Sequence, residues 1–512
     1  MVSFSVKNIK AFSDSGEVQL KPITLLVGKN SCGKSSLLRF PAVLSQTANS
    51  DDRSQPISLN GNYLDYGNFE DVVHNKMGSL FSFSLSYNFD ITGNSQISTA
   101  LNKIVVRTRK EEKKLIEKVT VDVTVKRVGR SIKVKTFQAY VGNKLLSELR
   151  WDDNNKNYIL NLCLIYDEGE LKTISESIRL DNSDVSFMNF FPLYEDSYLS
   201  SIVRSNNMSI NHDSIQKLLF LSLRDRFITE KDKKLSDDEL RFLFINRAFS
   251  YSADIIRYFY DLFTLEFRNY VAYIGPFRKN PDRIYRFSET ARNNVGPKGE
   301  NIGDFIFQAY QNQVNQKKTS GIFDDISTWL YKYYGYHLEI HDVGNNYFQL
   351  ILNNDRISSN IIDVGYGISQ VLPIISEIAL MARAGKRKRF SPINDILLVE
   401  QPELHLHPAA QANLAELFTL CVTSNENARI VIETHSEHLI SKLQVLIADK
   451  DCKLTNDMVQ ILYVDQDDGK DAFIEEMVIK ENGKFANEWP SGFFDQGYNL
   501  AYELMKKTAK HS

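Results

Sequence analysis

The eight residues Gly28-Lys29-Asn30-Ser31-Cys32-Gly33-Lys34-Ser35 constrain this chain more than any other feature. The pattern G-x-x-x-x-G-K-S/T needs a strand before it and a helix after it. Successive backbone N–H groups and a helix N-terminus then converge on one anion. Both flanks are present. Ile23-Thr24-Leu25-Leu26-Val27 reads as a buried strand, and Ser36-Leu37-Leu38-Arg39-Phe40 opens a helix. The spacing predicts a nucleoside triphosphate site with Gly28, Asn30, Ser31, Gly33, Lys34, Ser35 and Ser36 around the phosphates. Lys34 is expected to reach the outer phosphates and Ser35 to hold Mg²⁺. The plainer alternative is a tight glycine turn, which this context disfavours.

With 512 residues the chain has room for about three ordinary domains, and a hydrophobic fraction of 43% supports sizeable cores. Lys and Arg (61) nearly balance Asp and Glu (64), so the net charge of −3 carries no global nucleic-acid signature. Contact with DNA or RNA would need a local patch. Lys386-Arg387-Lys388-Arg389 is the best candidate, and it reads equally as a solvated loop. Cys32, Cys163, Cys421 and Cys452 show neither metal-ligand spacing nor a paired framework. Cys32 inside the loop suits a reducing compartment. The N-terminus reads as a strand and not a leader, and no apolar run approaches the ~18 residues of a membrane span. The expectation is a cytoplasmic protein with no membrane partner.

Residues 1–90 read as the first half of an α/β nucleotide-binding core. Lys103 to Val128, Ser131 to Val141 and Tyr158 to Leu164 then alternate apolar and polar residues, the period of half-exposed antiparallel strands. Ile215–Leu221 and Ala253–Phe259 carry apolar residues three and four apart and predict helices. The α/β pattern resumes with Tyr270-Val271-Ala272-Tyr273-Ile274-Gly275-Pro276. The predicted fold class is therefore α/β. A P-loop core in two halves, 1–90 and 266–500, is split by an inserted antiparallel sheet and helical region over 91–265, with a tail at 501–512. No heptad pattern is sustained, so a long coiled-coil arm is not expected.

Three segments of the second half bear on the same site. Ile396-Leu397-Leu398-Val399-Glu400 is an apolar strand that would aim its terminal acid at Mg²⁺ beside Ser35. Gln401-Pro402-Glu403-Leu404-His405-Leu406-His407-Pro408 follows it. Ile430-Val431-Ile432-Glu433-Thr434-His435 is a second core strand, ending in a histidine suited to the γ-phosphate or the attacking water. Asp363-Val364-Gly365-Tyr366-Gly367-Ile368-Ser369-Gln370 places small residues ahead of an apolar helix starting near Val371, a second helix N-terminus for phosphate.

In this order the four segments resemble the ATP-binding-cassette (ABC) type of ATPase in its SMC/RecF-like branch. More closely, they resemble AAA-family ATPases of bacterial anti-phage defence: the PtuA-type subunit of Septu and retron systems, and the ATPase part of OLD-family proteins. The phosphate loop, G-x-G-x-S-Q, E-x-P-E-x-H-L-H-P and T-H-S-E-H carry the match, with Tyr273–Arg278 and Trp489–Asp495 in support. It covers roughly 1–90 and 266–500. The resemblance implies a head-to-tail dimer, or a higher assembly of such dimers. Gly367, Ser369 and Gln370 of one copy would close over ATP and Mg²⁺ held by the other. It also implies Lys34, Glu400, Gln401, Glu403 and His435 as the catalytic set and Ser35 with Glu400 as the metal set. The implied role is control of a partner effector, a nuclease, in antiviral defence, with DNA or retron msDNA as a further partner. No intrinsic nuclease is expected. Gln401 departs from the family pattern, which has an acid there. An amide positions water but takes no proton from it, so binding is expected to dominate over slow hydrolysis, with Glu403 as a substitute base. The rivals are a RecF/SMC-like DNA-repair ATPase that binds DNA directly, and a transporter motor, for which no coupling domain is evident.

Other signals have plainer readings. His405, His407, His435 and His438 with Glu403 suggest zinc, but the spacing reads better as structure at a dimer junction. Asp465-Gln466-Asp467-Asp468-Gly469 resembles the D-x-D of a nuclease, yet it sits between two strands and reads as a hairpin turn. Tyr331–Tyr336 would stack bases or pack a helix end on the core. Asp65–Asp71 reads as a polar turn or as a link from nucleotide to insertion, and Arg278 as a phosphate reader or a strand cap.

Overall fold

A strand covered on both faces has no polar side. Ile23–Gly28, Asp395–Glu400, Ala428–Glu433 and Val459–Gln466 are each buried along nearly their whole length. They form the centre of one sheet in a computed structural model that describes residues 1–50, 55–61, 63–76, 78–90, 116–154, 157–166, 172–180, 263–287, 294–316, 320–354, 356–384, 394–467, 470–490 and 506. The chain divides into two compact units. One comprises Met1–Asn49, Ser58–Phe81 and Glu266–Ser512, the other Ser50–Ile57 and Ser82–Leu265.

The first unit opens with β1 (Ser3–Ile9), on which β2 (Phe12–Asp14) and β3 (Val18–Gln19) pair antiparallel. Next come β4 (Ile23–Gly28) and α1 (Lys34–Ala48). The second unit takes in most of β5 (Leu80–Asp90) and a meander of β6 (Ile116–Val128), β7 (Ser131–Val141), β8 (Lys144–Asp152), β9 (Asn157–Tyr166) and β10 (Lys172–Leu180), each antiparallel to the next. Val119, Val121, Val123 and Val125 are buried while the residues between them are partly exposed, as the alternation predicts. The predicted helices at 215–221 and 253–259 lie outside the described residues, as do the basic run 386–389 and residues 491–495.

The first unit resumes with β11 (Val271–Ile274), β12 (Tyr285–Arg286), α2 (Ile302–Asn315) and α3 (Ile322–Tyr334). Then follow β13 (His337–Gly344), β14 (Tyr347–Asn353), β15 (Ser358–Asn360) and α4 (Tyr366–Ala384). The chain continues through β16 (Asp395–Glu400), α5 (Pro408–Ser424), β17 (Ala428–Glu433), α6 (Glu437–Ala448), β18 (Val459–Gln466) and β19 (Ala472–Glu476). The main sheet runs β11-β16-β17-β4-β18-β19; its first five strands are parallel, and β19 returns antiparallel on β18. Leu25, Val27, Leu397, Val399, Ile430, Ile432 and Tyr463 face a core built with α2 to α6. Leu26, Leu398, Val431 and Leu462 alternate to the opposite face, and α1 packs along β4, β11, β16 and β17. The α/β core interrupted by an antiparallel sheet is the predicted fold class.

Two local expectations need comment. Helix α4 begins at Tyr366, five residues before the predicted start, so Ser369 and Gln370 lie inside its first turns. The Ser369 hydroxyl donates to the Tyr366 carbonyl at 2.8 Å, which lets a serine sit within the helix. Burial of Ile368 outweighs the small-residue signal. By length and composition α4 also passes as a membrane span, but 78% of its most apolar 18-residue stretch is buried, as in a core helix. Elsewhere the plain readings hold. Helix α3 stops at Gly335 (φ +76) with Tyr333, Tyr334 and Tyr336 packed against the core. Asp465 pairs with Phe473 in the β18–β19 hairpin.

Candidate functional site

The register puts Glu400 opposite Glu433, Glu433 opposite Leu26, and Gly28 opposite Val464. The C-terminal ends of the parallel strands therefore line up along one edge, where open α/β sheets bind ligands. At this edge β4 turns into the phosphate loop. Gly28 (φ +138) has no room for a side chain, since a Cβ there would stand 1.9 Å from the Val464 carbonyl oxygen. Gly33 (φ +100) caps α1 in the left-handed region that favours glycine.

A cavity of about 500 Å³ opens over the loop. Asn30, Ser31, Gly33, Lys34, Ser35 and Ser36 line it, so every predicted loop position except Gly28 faces it. Gln401 and Glu433 reach it from the ends of β16 and β17, and Lys10, Asn75 and Lys76, which the sequence did not flag, add to its wall. The Lys34 ammonium is buried and donates to the carbonyls of Gly28, at 3.0 Å, and Lys29. Burial lowers its pKa. Asp465, the first acid of the nuclease-like run, braces the loop instead: it accepts from Lys29 Nζ at 2.8 Å, Tyr463 Oη at 3.0 Å and the Cys32 thiol at 3.6 Å.

The placement of the acids corrects one expectation. Glu400 does not face Ser35. Its carboxylate is 2% exposed and accepts from Arg39 Nε at 2.5 Å, Arg39 Nη2 at 2.6 Å and the Tyr273 hydroxyl at 2.7 Å. These hydrogen bonds hold the Arg39 guanidinium still more firmly protonated. Ser35 donates instead to Glu433 Oε1 at 2.9 Å. Ser35 and Arg39 lie one turn apart on α1, so they meet neighbouring strands, β17 and β16. Glu433 Oε2 is buried without a hydrogen-bond partner, and burial raises the pKa of this carboxyl, partly offset by Ser35. The sequence reading missed Glu433, although the argument used for Glu400, an acid ending an apolar core strand, applied to it equally.

Gln401 takes a left-handed conformation (φ +42), and its N–H bonds the Glu433 carbonyl at 2.8 Å. Arg278 supports that turn by donating to the Glu400 carbonyl at 2.7 Å and the Gln401 carbonyl at 3.3 Å. It is 6% exposed, and burial lowers its pKa to about 10. Of the two readings for Arg278, the structure favours the strand cap. Glu403 accepts the His435 N–H at 2.7 Å, and its other oxygen is buried without a partner; burial pushes its carboxyl up. Glu403 does not line the cavity. His435 is exposed and does not line the cavity; desolvation of its ring and then the Lys34 charge lower its pKa. His407 accepts from Ala409 N at 3.4 Å as the cap of α5. Among the described residues no three or more His, Cys, Asp or Glu converge as a metal site would.

Gly367, Ser369 and Gln370 lie off the cavity of their own chain. Ser369 and Gln370 are buried in α4, while Gly365 and Tyr366 beside them are exposed. Gly367 packs against the loop that follows β16, with Leu406 and the His405 carbonyl 3.4–3.5 Å from where its Cβ would be.

A family model described as AAA ATPase domain matches residues 1–440, and one described as protein of unknown function (DUF3696) matches residues 454–504. No curated protein matches the chain. Among solved structures, an SmcHead bound to the C-winged helix domain of ScpA is 10% identical, with 93% of this chain and 98% of that one covered and a TM-score of 0.39. An Smc head domain with an extended coiled coil, bound to the C-terminal domain of ScpA from Pyrococcus furiosus, is 10% identical over 98% and 99%, with a TM-score of 0.37. The SMC head domain from Thermotoga maritima is 10% identical over 93% and 98%, with a TM-score of 0.34.

Proposed function

The chain belongs to the AAA ATPase domain family, and from that premise we propose that it works as an ABC-type, ATP-gated switch. Two copies join head to tail around bound nucleotide, hydrolyse it slowly, and hold or release a partner effector. The observation that carries this reading is the incomplete cavity. The loop, Gln401 and Glu433 line one side of it, whereas Gly367, Ser369 and Gln370 lie elsewhere on the same chain with Gly365 and Tyr366 exposed beside them.

The loop N–H groups, the α1 N-terminus and Lys34 take the triphosphate. Mg²⁺, when bound, neutralises charge on the outer phosphates. The buried, unpartnered oxygen of Glu433 and the hydroxyl of Ser35 fit such a cation. Gln401 orients water without deprotonating it. Loss of the γ-phosphate then removes contacts made by both copies, so the assembly has two states biased by nucleotide. A nuclease of anti-phage defence as the effector is supported by the motif order, with action in the cytoplasm.

Sedimentation of the purified chain tests the reading. ATP with Mg²⁺ should convert monomer to dimer, ADP should not, and Ser369→Arg should abolish the dimer while leaving ATP binding intact. A monomer in every nucleotide state overturns it. Degradation of DNA by the chain alone removes the effector, and ATP-dependent retention of DNA by the isolated chain favours direct clamping.

A further inference from the structure

Resting on the reading that this cavity holds a nucleoside triphosphate, we propose that Glu433, and not Glu400, is the carboxylate that holds the divalent cation beside Ser35. The two acids end adjacent strands in register, so either is close enough to the loop by topology alone. Their surroundings separate them. Glu400 is committed: Arg39 grips both of its oxygens, Tyr273 adds a third donor, and the carboxylate does not line the cavity. Turning it toward a cation would leave Arg39 and Glu400 each without its partner, an arrangement that buried charges tolerate poorly.

Glu433 is open in the opposite sense. It lines the cavity, and its side chain is almost wholly buried. Oε1 accepts the Ser35 hydroxyl proton, which leaves the lone pairs of that hydroxyl free for a cation. Oε2 has no hydrogen-bond partner, an arrangement that is costly for a buried carboxylate until a cation or donor arrives. Charge counting agrees. Arg39 cancels Glu400, and Asp71, the other acid lining the cavity, pairs with Lys76 at 3.2 Å, so Glu433 is the lining acid bonded to Ser35. Hard divalent cations take oxygen ligands of this kind, usually one or two carboxylates together with the phosphates of the substrate.

The test is a titration of the full chain with a fluorescent ATP analogue, in Mg²⁺ and in EDTA, with Mn²⁺ paramagnetic resonance as a second readout. Glu433→Gln should reduce the ratio of affinity in Mg²⁺ to affinity in EDTA by about tenfold or more. Glu400→Gln should keep the Mg²⁺ dependence. If Glu433→Gln keeps the dependence and Glu400→Gln loses it, the assignment is overturned. A wild-type chain that binds no nucleotide in either buffer removes the underlying reading and the assignment with it. Circular dichroism checks that Glu433→Gln is folded. Should it not be, Glu433→Asp retains the charge on a shorter arm and must alter the Mn²⁺ signal in the presence of ATP; an unaltered signal there counts against Glu433 equally.

Discussion

Gln401 is held in place by its backbone: a left-handed φ, an N–H bonded to the Glu433 carbonyl, and a buried Arg278 under its own carbonyl. Its amide reaches the cavity where a base would be useful, whereas Glu403, a carboxylate two residues on, is turned away to bind the His435 N–H. Gln401→Glu should therefore raise steady-state phosphate release, by about 10²-fold if general-base catalysis is what the amide lacks. A colorimetric phosphate assay reads this directly, and an unchanged rate in a folded variant would count against the proposed slow turnover. Arg39 makes a different kind of prediction. Arg39→Met leaves the Glu400 carboxylate buried without its counter-charge, which should lower unfolding stability by about 3 kcal/mol, measured in urea. Arg39→Met with Glu400→Leu should recover most of that loss, because no unpaired charge remains. Unchanged stability in Arg39→Met alone would mean that the pair is not holding the strand edge.

At the scale of elements, the phosphate loop depends on how close β4 lies to β18. Gly28 leaves only backbone between them, with the Val464 oxygen where a Cβ would be. Gly28→Ala meets both that clash and a positive φ. It should destabilise by more than about 1 kcal/mol and reduce nucleotide affinity together with the melting temperature. Loss of affinity without loss of stability would show that the glycine serves ligand approach alone. This junction was legible in the sequence because the constraint is local: apolar strand, glycine pattern, helix. The β6–β9 region was legible for a similar reason, since a half-exposed sheet writes its period into Val119, Val121, Val123 and Val125. The start of α4 was not, because tertiary burial of Ile368 decides it against the small residues around it. The different surroundings of Glu400 and Glu433 were not legible either. Both end apolar strands, and only the three-dimensional placement of Arg39, Tyr273 and Ser35 tells them apart.

At the scale of the whole molecule, the stability of the first unit should depend on pH through Glu377, a residue away from the nucleotide cavity. It lies on α4, is 3% exposed, and accepts the Val295 N–H at 2.8 Å. Burial pushes its carboxyl up to about 7, and the backbone hydrogen bond offsets this only in part. In the unfolded chain the same group titrates near the ordinary value of about 4.3. Between those values the folded chain binds the extra proton, so the slope of unfolding free energy against pH is negative there. Stability should fall as pH rises from about 4.5 to about 7, by something on the order of 3 kcal/mol, and then level off as far as this residue is concerned. Glu403 and Glu433, also raised by burial, contribute with the same sign, while Asp465 and Glu416, whose values are lowered, contribute with the opposite sign at more acidic pH. Glu377→Gln keeps an acceptor for Val295 and removes the charge. Its urea midpoints at pH 5 and pH 8 should lie closer together than those of the wild type, mainly because the variant gains at pH 8. If wild type and variant show the same difference between the two pH values, Glu377 is not the source of the pH dependence.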